Sequence, residues 1–288
     1  MTASTDIPSS TSALVDSGTE SPRPRRITLL RVIRSEWIKL RSLRSTVITL
    51  VAAVAAVVGF GLLFSAVFAG EVDTAGGDGG GPPGAGAALD SSVGASLGGI
   101  SLGVLLVGVL GALLVTGEYA TGTIRATLAA VPTRLPVLVA KAITFATVAI
   151  AVMLVAAFGA VLGGQAVIGS EAASLSDDGV LRAVLGAVAY TVSIGLLGMG
   201  TGWLLRNTGG SIALLLAVVM VVPGLVQLLA DDWQETIIPY LPSSLGTSLM
   251  SVTTPENLFE PGTALAVLVF YVVIVLAAAA VTLRRRDA

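Results

Sequence analysis

The side chains that carry most enzyme chemistry are missing from this sequence, which contains no cysteine and no histidine. A thiol nucleophile, a zinc–thiolate site, a Ser-His-Asp triad and a histidine proton relay are therefore excluded. A phosphate-binding loop requires G-x-x-x-x-G-K-[ST], and neither Lys39 nor Lys141 follows a glycine. The chain has no such route to ATP hydrolysis of its own. Gly195, Gly198, Gly200 and Gly202 superficially suggest a nucleotide loop, but they lie inside an apolar run, where small residues serve close helix contact. Acidic residues between Glu71 and Ser92 show no regular calcium-ligand spacing and read as part of a solvated Gly-rich linker. The side chain that stands out is Glu118. It is the only acid in the basic-side segments that join apolar runs, and it is expected to pair with Arg125 or with an arginine ahead of the first run.

Whatever these residues do, apolar chain must position them. Of 288 residues, 54% are hydrophobic and 12% charged, with a mean hydropathy of +0.92. Soluble domains average about 25% charged residues. The deficit excludes a disordered chain, a nucleic-acid binder and an ordinary water-soluble enzyme. The apolar residues fall in runs of about twenty, enough to cross a ~30 Å hydrocarbon layer at ~1.5 Å per residue. Six spans are predicted: Thr46–Phe68, Val93–Thr116, Val137–Leu162, Val180–Leu205, Ser211–Ala230 and Thr263–Leu283. Residues 1–26, rich in Ser and Thr, read as a disordered cytoplasmic tail rather than a signal peptide.

Charge sorts across these spans. Fifteen of the 16 Lys and Arg residues fall on one side, the exception being Arg182. The opposite loops hold twelve acids, from Glu71 to Glu260, and no Lys or Arg. The positive-inside rule then places both termini, including the basic end at residues 284–288, in the cytoplasm. Trp37, Trp203 and Trp233 fall at predicted span edges, as interfacial anchors do. Within the spans, Tyr190, Thr191, Ser193, Gln227 and Tyr271 are expected to make helix-to-helix hydrogen bonds, Lys141 to snorkel from a span edge, and Pro223 to kink span five.

Three connecting segments have structure of their own. Over residues 27–45, Leu30, Ile33, Trp37, Leu40 and Arg44 recur at helical spacing, flanked by Arg31, Arg34, Lys39 and Arg41; Glu36 lies in the same stretch. This predicts an amphipathic helix lying in the membrane interface. In the loop 117–136, Thr121 or Thr123 is expected to cap a short helix ended by Pro132. Ile124, Leu128 and Val131 form its apolar face, which either meets a cytoplasmic partner or packs on the chain's own inner surface. Residues 231–262 are too apolar for a free loop and too broken by Pro239 and Pro242 to span. They predict short helices dipping back into the outer half of the membrane, or a surface-lying loop.

The stretch from Arg34 through Ser35, Glu36, Trp37, Ile38, Lys39, Leu40 and Arg41 to Arg44 and Thr46 resembles the start of actinobacterial ABC-2-type ABC transporter permeases. Gly117-Glu118-Tyr119, then Gly122-Thr123-Ile124-Arg125, Pro132 and Lys141, resembles their loop after span two. Tyr240-Leu241-Pro242 also matches the type. The resemblance covers about residues 27–286. It implies an all-α membrane protein with the ABC-2-type exporter fold, a transmembrane domain over residues 46–283 and a place in the bacterial cell membrane. It also implies a second permease subunit, as homo- or heterodimer, and a separate P-loop ATPase that carries ATP and Mg; no cofactor is expected on this chain. The region Thr121–Val131 would be the coupling helix, with Gly117, Glu118, Thr121, Gly122, Thr123, Ile124, Arg125, Leu128 and Val131 at the ATPase-coupling site. Ile33, Arg34, Glu36, Trp37, Lys39, Leu40, Arg41 and Arg44 would form the interfacial helix. The expected function is a permease subunit that couples ATP hydrolysis by its partner to export of a lipophilic or amphipathic substrate. The alternative is a non-transporting anchor that recruits a cytoplasmic partner. Absence of buried acids at span centres disfavours an ion-coupled transporter.

Overall fold

The structure, a computed structural model, describes residues 28–71, 91–131 and 133–285. The expected N-terminal tail, the Gly-rich linker, Pro132 and the last three residues lie outside the described residues. Helix α1 spans Leu29–Ser42, and α2, Arg44–Phe68, is the first span. Span two is built from α3, Ser92–Leu97, and α4, Ile100–Ala120. The short α5 covers Thr123–Ala130, span three is α6, Leu135–Ile168, and span four is α7, Val180–Leu205. Span five joins α8, Thr208–Leu216, to α9, Val222–Val226, through a π-helical turn at Ala217–Val221. Helices α10, Asp231–Ile237, and α11, Pro242–Met250, precede span six, α12, Pro261–Arg285. All six spans are long and apolar enough to cross a membrane. No strand occurs among the described residues.

Span four is the hub. Of its most apolar window 72% is buried, against 22% in spans five and six, and spans two, three and six all pack on it. The glycine seam is what lets them approach. A Cβ at Gly198 would run into the carbonyl of Gly108, and one at Gly111 into the carbonyl of Gly195, so spans two and four meet backbone to backbone. In lipid, where apolar burial gives little drive, this close van der Waals contact is a main source of helix association. At the other end of span two, Gly99 lies against the Val57 backbone of span one. A polar knot also joins three spans there: Gln165 Nε2 donates to Ser96 Oγ at 3.0 Å, and Ser96 and Ser65 share a 3.1 Å hydrogen bond.

Several local expectations are sharpened or changed. Pro223 acts through the π-helical turn just before it; the missing N–H and the ring's clash one turn back are absorbed by that widened turn. Thr191 and Ser193 donate to Ala187 and Ala189 of their own helix rather than to a neighbour. Trp203 is 1% exposed, an interior side chain instead of an interfacial anchor, whereas Trp233 is 63% exposed. Arg182 explains its own position on the acidic side. Its guanidinium donates to the carbonyls of Ser251 and Val252 at 3.0 and 2.7 Å, satisfying the end of α11. Helix α11 buries Leu245 and Leu249 and brings Gly246 against the Tyr190 ring. Tyr190 stands ten residues into span four, roughly 15 Å along its axis. Helix α10 buries none of its residues.

Candidate coupling site at the basic end

Span two ends at Ala120, and the chain must turn sharply to start α5 two residues later. Gly122 makes that turn with φ +72°, a left-handed conformation that costs glycine little. The expected threonine cap is therefore not formed. The Thr121 hydroxyl instead donates back to the Gly117 carbonyl at 2.9 Å and shares a 2.9 Å hydrogen bond with Thr123, so both hydroxyls serve the end of span two. Ile124, Leu128 and Val131 are 2%, 6% and 7% exposed. Of the two readings open for this face, the structure selects burial within the chain. What α5 presents outward is Thr123, Arg125, Ala126, Ala129 and Ala130.

Helix α1 packs on the start of span three and reaches α5 through Lys39, and its inward face shares only Leu40 with the predicted stripe. Val32, Glu36 and Leu40 point into the protein at i, i+4 and i+8. Leu30 is 77% exposed and Trp37 37%; Ile33 is half-buried, and Arg34, Arg41 and Arg44 are exposed. The centre of the inward face is a carboxylate. Burying one alone costs several kcal/mol, on the order of magnitude that a paired cation must offset.

Two lysines supply the pairing. Lys141 Nζ stands 2.5 Å from Glu36 Oε2 and 2.9 Å from Glu118 Oε1. Lys39 Nζ stands 2.7 Å from Glu36 Oε1 and 3.2 Å from Glu118 Oε1, and also donates to Thr127 Oγ1 of α5 at 3.3 Å. The result is an alternating tetrad, Glu36–Lys39–Glu118–Lys141, that joins α1, the end of span two and the start of span three, with a strut to α5. Burial by itself pushes the Glu36 carboxyl up, but the charges and hydrogen bonds of Lys141 and Lys39 outweigh it and hold the group below its ordinary value. Burial likewise works against charging Lys39, yet its bond to Glu36 and the charge of Glu118 hold its ammonium above the usual range.

Glu118 thus has lysine partners, not Arg125 or an arginine of α1. Arg125 stays exposed on α5. Lys141 does not snorkel; its side chain is 6% exposed and turned inward, because two carboxylates wait there. It is the site residue that sequence reasoning missed, together with Thr127. The signals available were that Lys141 is one of only two lysines in the chain and falls in the stretch that resembles the family's loop after span two. A second cluster holds span two to span four beside the tetrad. The Tyr119 ring meets Trp203 edge-on at 6.0 Å between centroids, and the Arg206 guanidinium lies 5.2 Å from its centre. At the start of span three, Arg134 donates to the Leu283 carbonyl near the end of span six at 3.2 Å.

Six helices long and apolar enough to cross a membrane, with a buried ionic junction at the basic end, define a multi-pass membrane protein. A family model described as ABC-2 family transporter protein matches residues 32–225. That is more than half of the chain, and the chain belongs to this family. The matched segment contains α1 from Val32 onward, all of α5 and all four tetrad residues. No curated protein matches the chain.

Proposed function

We propose that the chain is the membrane-spanning permease subunit of an ATP-driven exporter, powered by a separate P-loop ATPase that carries ATP and Mg. In this reading the basic end is cytoplasmic, the protein sits in a bacterial cell membrane, and two permease subunits pair. The outward face of α5, with Arg125 and its flanking alanines, docks the ATPase. The observation that carries the reading is Lys39, which bonds Glu36 of its own helix, Glu118 of span two and Thr127 of α5 at once. A displacement of α5 is thereby delivered to the interfacial helix and to spans two and three together. The cargo is an amphipathic or lipophilic molecule.

The test is reconstitution with and without the ATPase. Cargo is identified as the compound whose efflux is lost on deletion, and its export in vesicles then requires both ATP and the partner. Glu118→Ala lowers transport while the assembly still co-purifies. Full transport by the isolated chain without any ATPase overturns the proposal, as does a partner whose ATP turnover is unaffected by reconstitution with this chain.

A further inference from the structure

Beside the tetrad, α1, α2, α4, α5 and the start of α6 line a half-open cavity of about 720 Å³, within the roughly 300–1,000 Å³ of small-molecule pockets. Its lining is mixed. Leu40, Leu43, Leu110, Leu113 and Leu114 line it together with hydroxyls such as Thr46, Thr49 and Thr144 and with the charged tetrad. A lining of this composition suits a molecule with an apolar body and a polar head.

The hydrogen-bond inventory selects the head. A lysine ammonium has three donors and no acceptor. Lys39 uses its three on Glu36, Glu118 and Thr127, and Lys141 bonds both carboxylates. Lys141 keeps one N–H, but the two carboxylates offset both ammonium groups, so the tetrad carries no net positive charge with which to hold an anionic head. Acceptor capacity, in contrast, is left over. Glu118 Oε2 is buried and accepts no hydrogen bond, and Thr144 Oγ1, on a residue 2% exposed, is also without a partner. Both residues line the cavity. A buried acceptor of this kind carries a desolvation cost until a donor reaches it.

We propose that this cavity binds an amphiphile whose head group donates N–H or O–H hydrogen bonds and carries no negative charge. Its head is received by Glu118 and Thr144, and its hydrocarbon body lies along the leucines of span two. Binding itself is independent of the exporter reading; only the ligand's status as cargo rests on that reading.

The absence of native cysteine allows a single reporter. The full chain carrying Ser45→Cys, labelled with an environment-sensitive fluorophore at the cavity margin, is placed in phosphatidylcholine nanodiscs and titrated with dodecanamide. N,N-dimethyldodecanamide, with the same body but no N–H, and dodecyl sulfate serve as comparisons. Dodecanamide gives a saturable response at least tenfold tighter than either. Thr144→Val and Glu118→Gln each weaken it, the latter about tenfold, and Leu113→Trp, which fills the apolar part, abolishes it. Equal binding of the dimethyl amide, tighter binding of the sulfate, a response that only rises linearly, or unchanged affinity in a folded Thr144→Val variant overturns the proposal. Because the assay contains neither ATPase nor ATP, its failure is separable from failure of the exporter reading.

Discussion

Lys141 and Glu36 lie 105 residues apart in the chain and 2.5 Å apart in the fold. One belongs to the third span, the other to a helix that precedes the first. Each is almost wholly buried, so neither has water to fall back on if the other is removed.

Lys141→Met therefore leaves Glu36 buried with only the half-exposed Lys39, and the expected loss is about 3–5 kcal/mol. The double variant Glu36→Gln with Lys141→Met recovers much of this, since an uncharged pair of similar size carries no desolvation penalty. Thermal unfolding in detergent across the double-mutant cycle measures the coupling. Additive single effects would mean the pair is not a unit.

The tetrad also predicts how stability follows pH. The folded Glu36 carboxyl lies below its ordinary value of 4.5. Its contribution is therefore present above about pH 4.5 and lost as pH falls through the lowered value. The folded Lys39 ammonium lies above its ordinary 10.5, so its contribution is present below that pH and lost as pH rises through the raised value. Unfolding temperature measured from pH 3 to 11 is expected to be level between these limits, and Glu36→Gln removes part of the acid-side fall.

Gly122→Ala places a side chain at φ +72° in otherwise open space. The expected cost is conformational alone, about 1–2 kcal/mol, and Gly122→Asn costs less. Gly117→Ala is the control within the same segment. It has open space and helical backbone, and is expected to be neutral or to stabilise by up to about 1 kcal/mol. Chemical or thermal unfolding of the three variants separates the two glycines.

Gly198→Leu forces spans two and four apart where Gly198 faces the Gly108 carbonyl. A loss of about 3 kcal/mol or more is expected, since backbone cannot yield as a side chain does. Size-exclusion profiles and unfolding temperature read it directly.

Arg125→Glu acts on the outward face of α5 and is expected to leave unfolding within about 0.5 kcal/mol of the native chain. Retention of the ATPase on co-purification falls several-fold. Unchanged retention would move the docking surface elsewhere.

The six spans were legible because long apolar runs admit no other arrangement, and the glycine seam of span four was legible as a contact surface for the same reason. The short helix after span two was legible by its spacing, but not the direction its apolar face takes. Periodicity reports that Ile124, Leu128 and Val131 share a face and is silent on what covers it. The predicted stripe of α1 shows the same limit: Leu30, Ile33 and Trp37 are apolar, yet Glu36 is the residue turned inward. A buried acid violates binary patterning, and it is tolerated because Lys141 arrives from a distant helix. Glu118 was visible as an isolated acid, but its partner was not, since nothing in the spacing of 23 residues to Lys141 signals contact.

The buried underside of α5 has a mechanical consequence. A helix held only by its two ends would rock or fray under load and spend a stroke on its own deformation. Here the apolar face is seated in the bundle and Thr127 accepts from Lys39, so α5 is held along its length as well as at its ends. In the proposed reading, a partner that grips the few outward side chains of α5 takes hold of three helices at once.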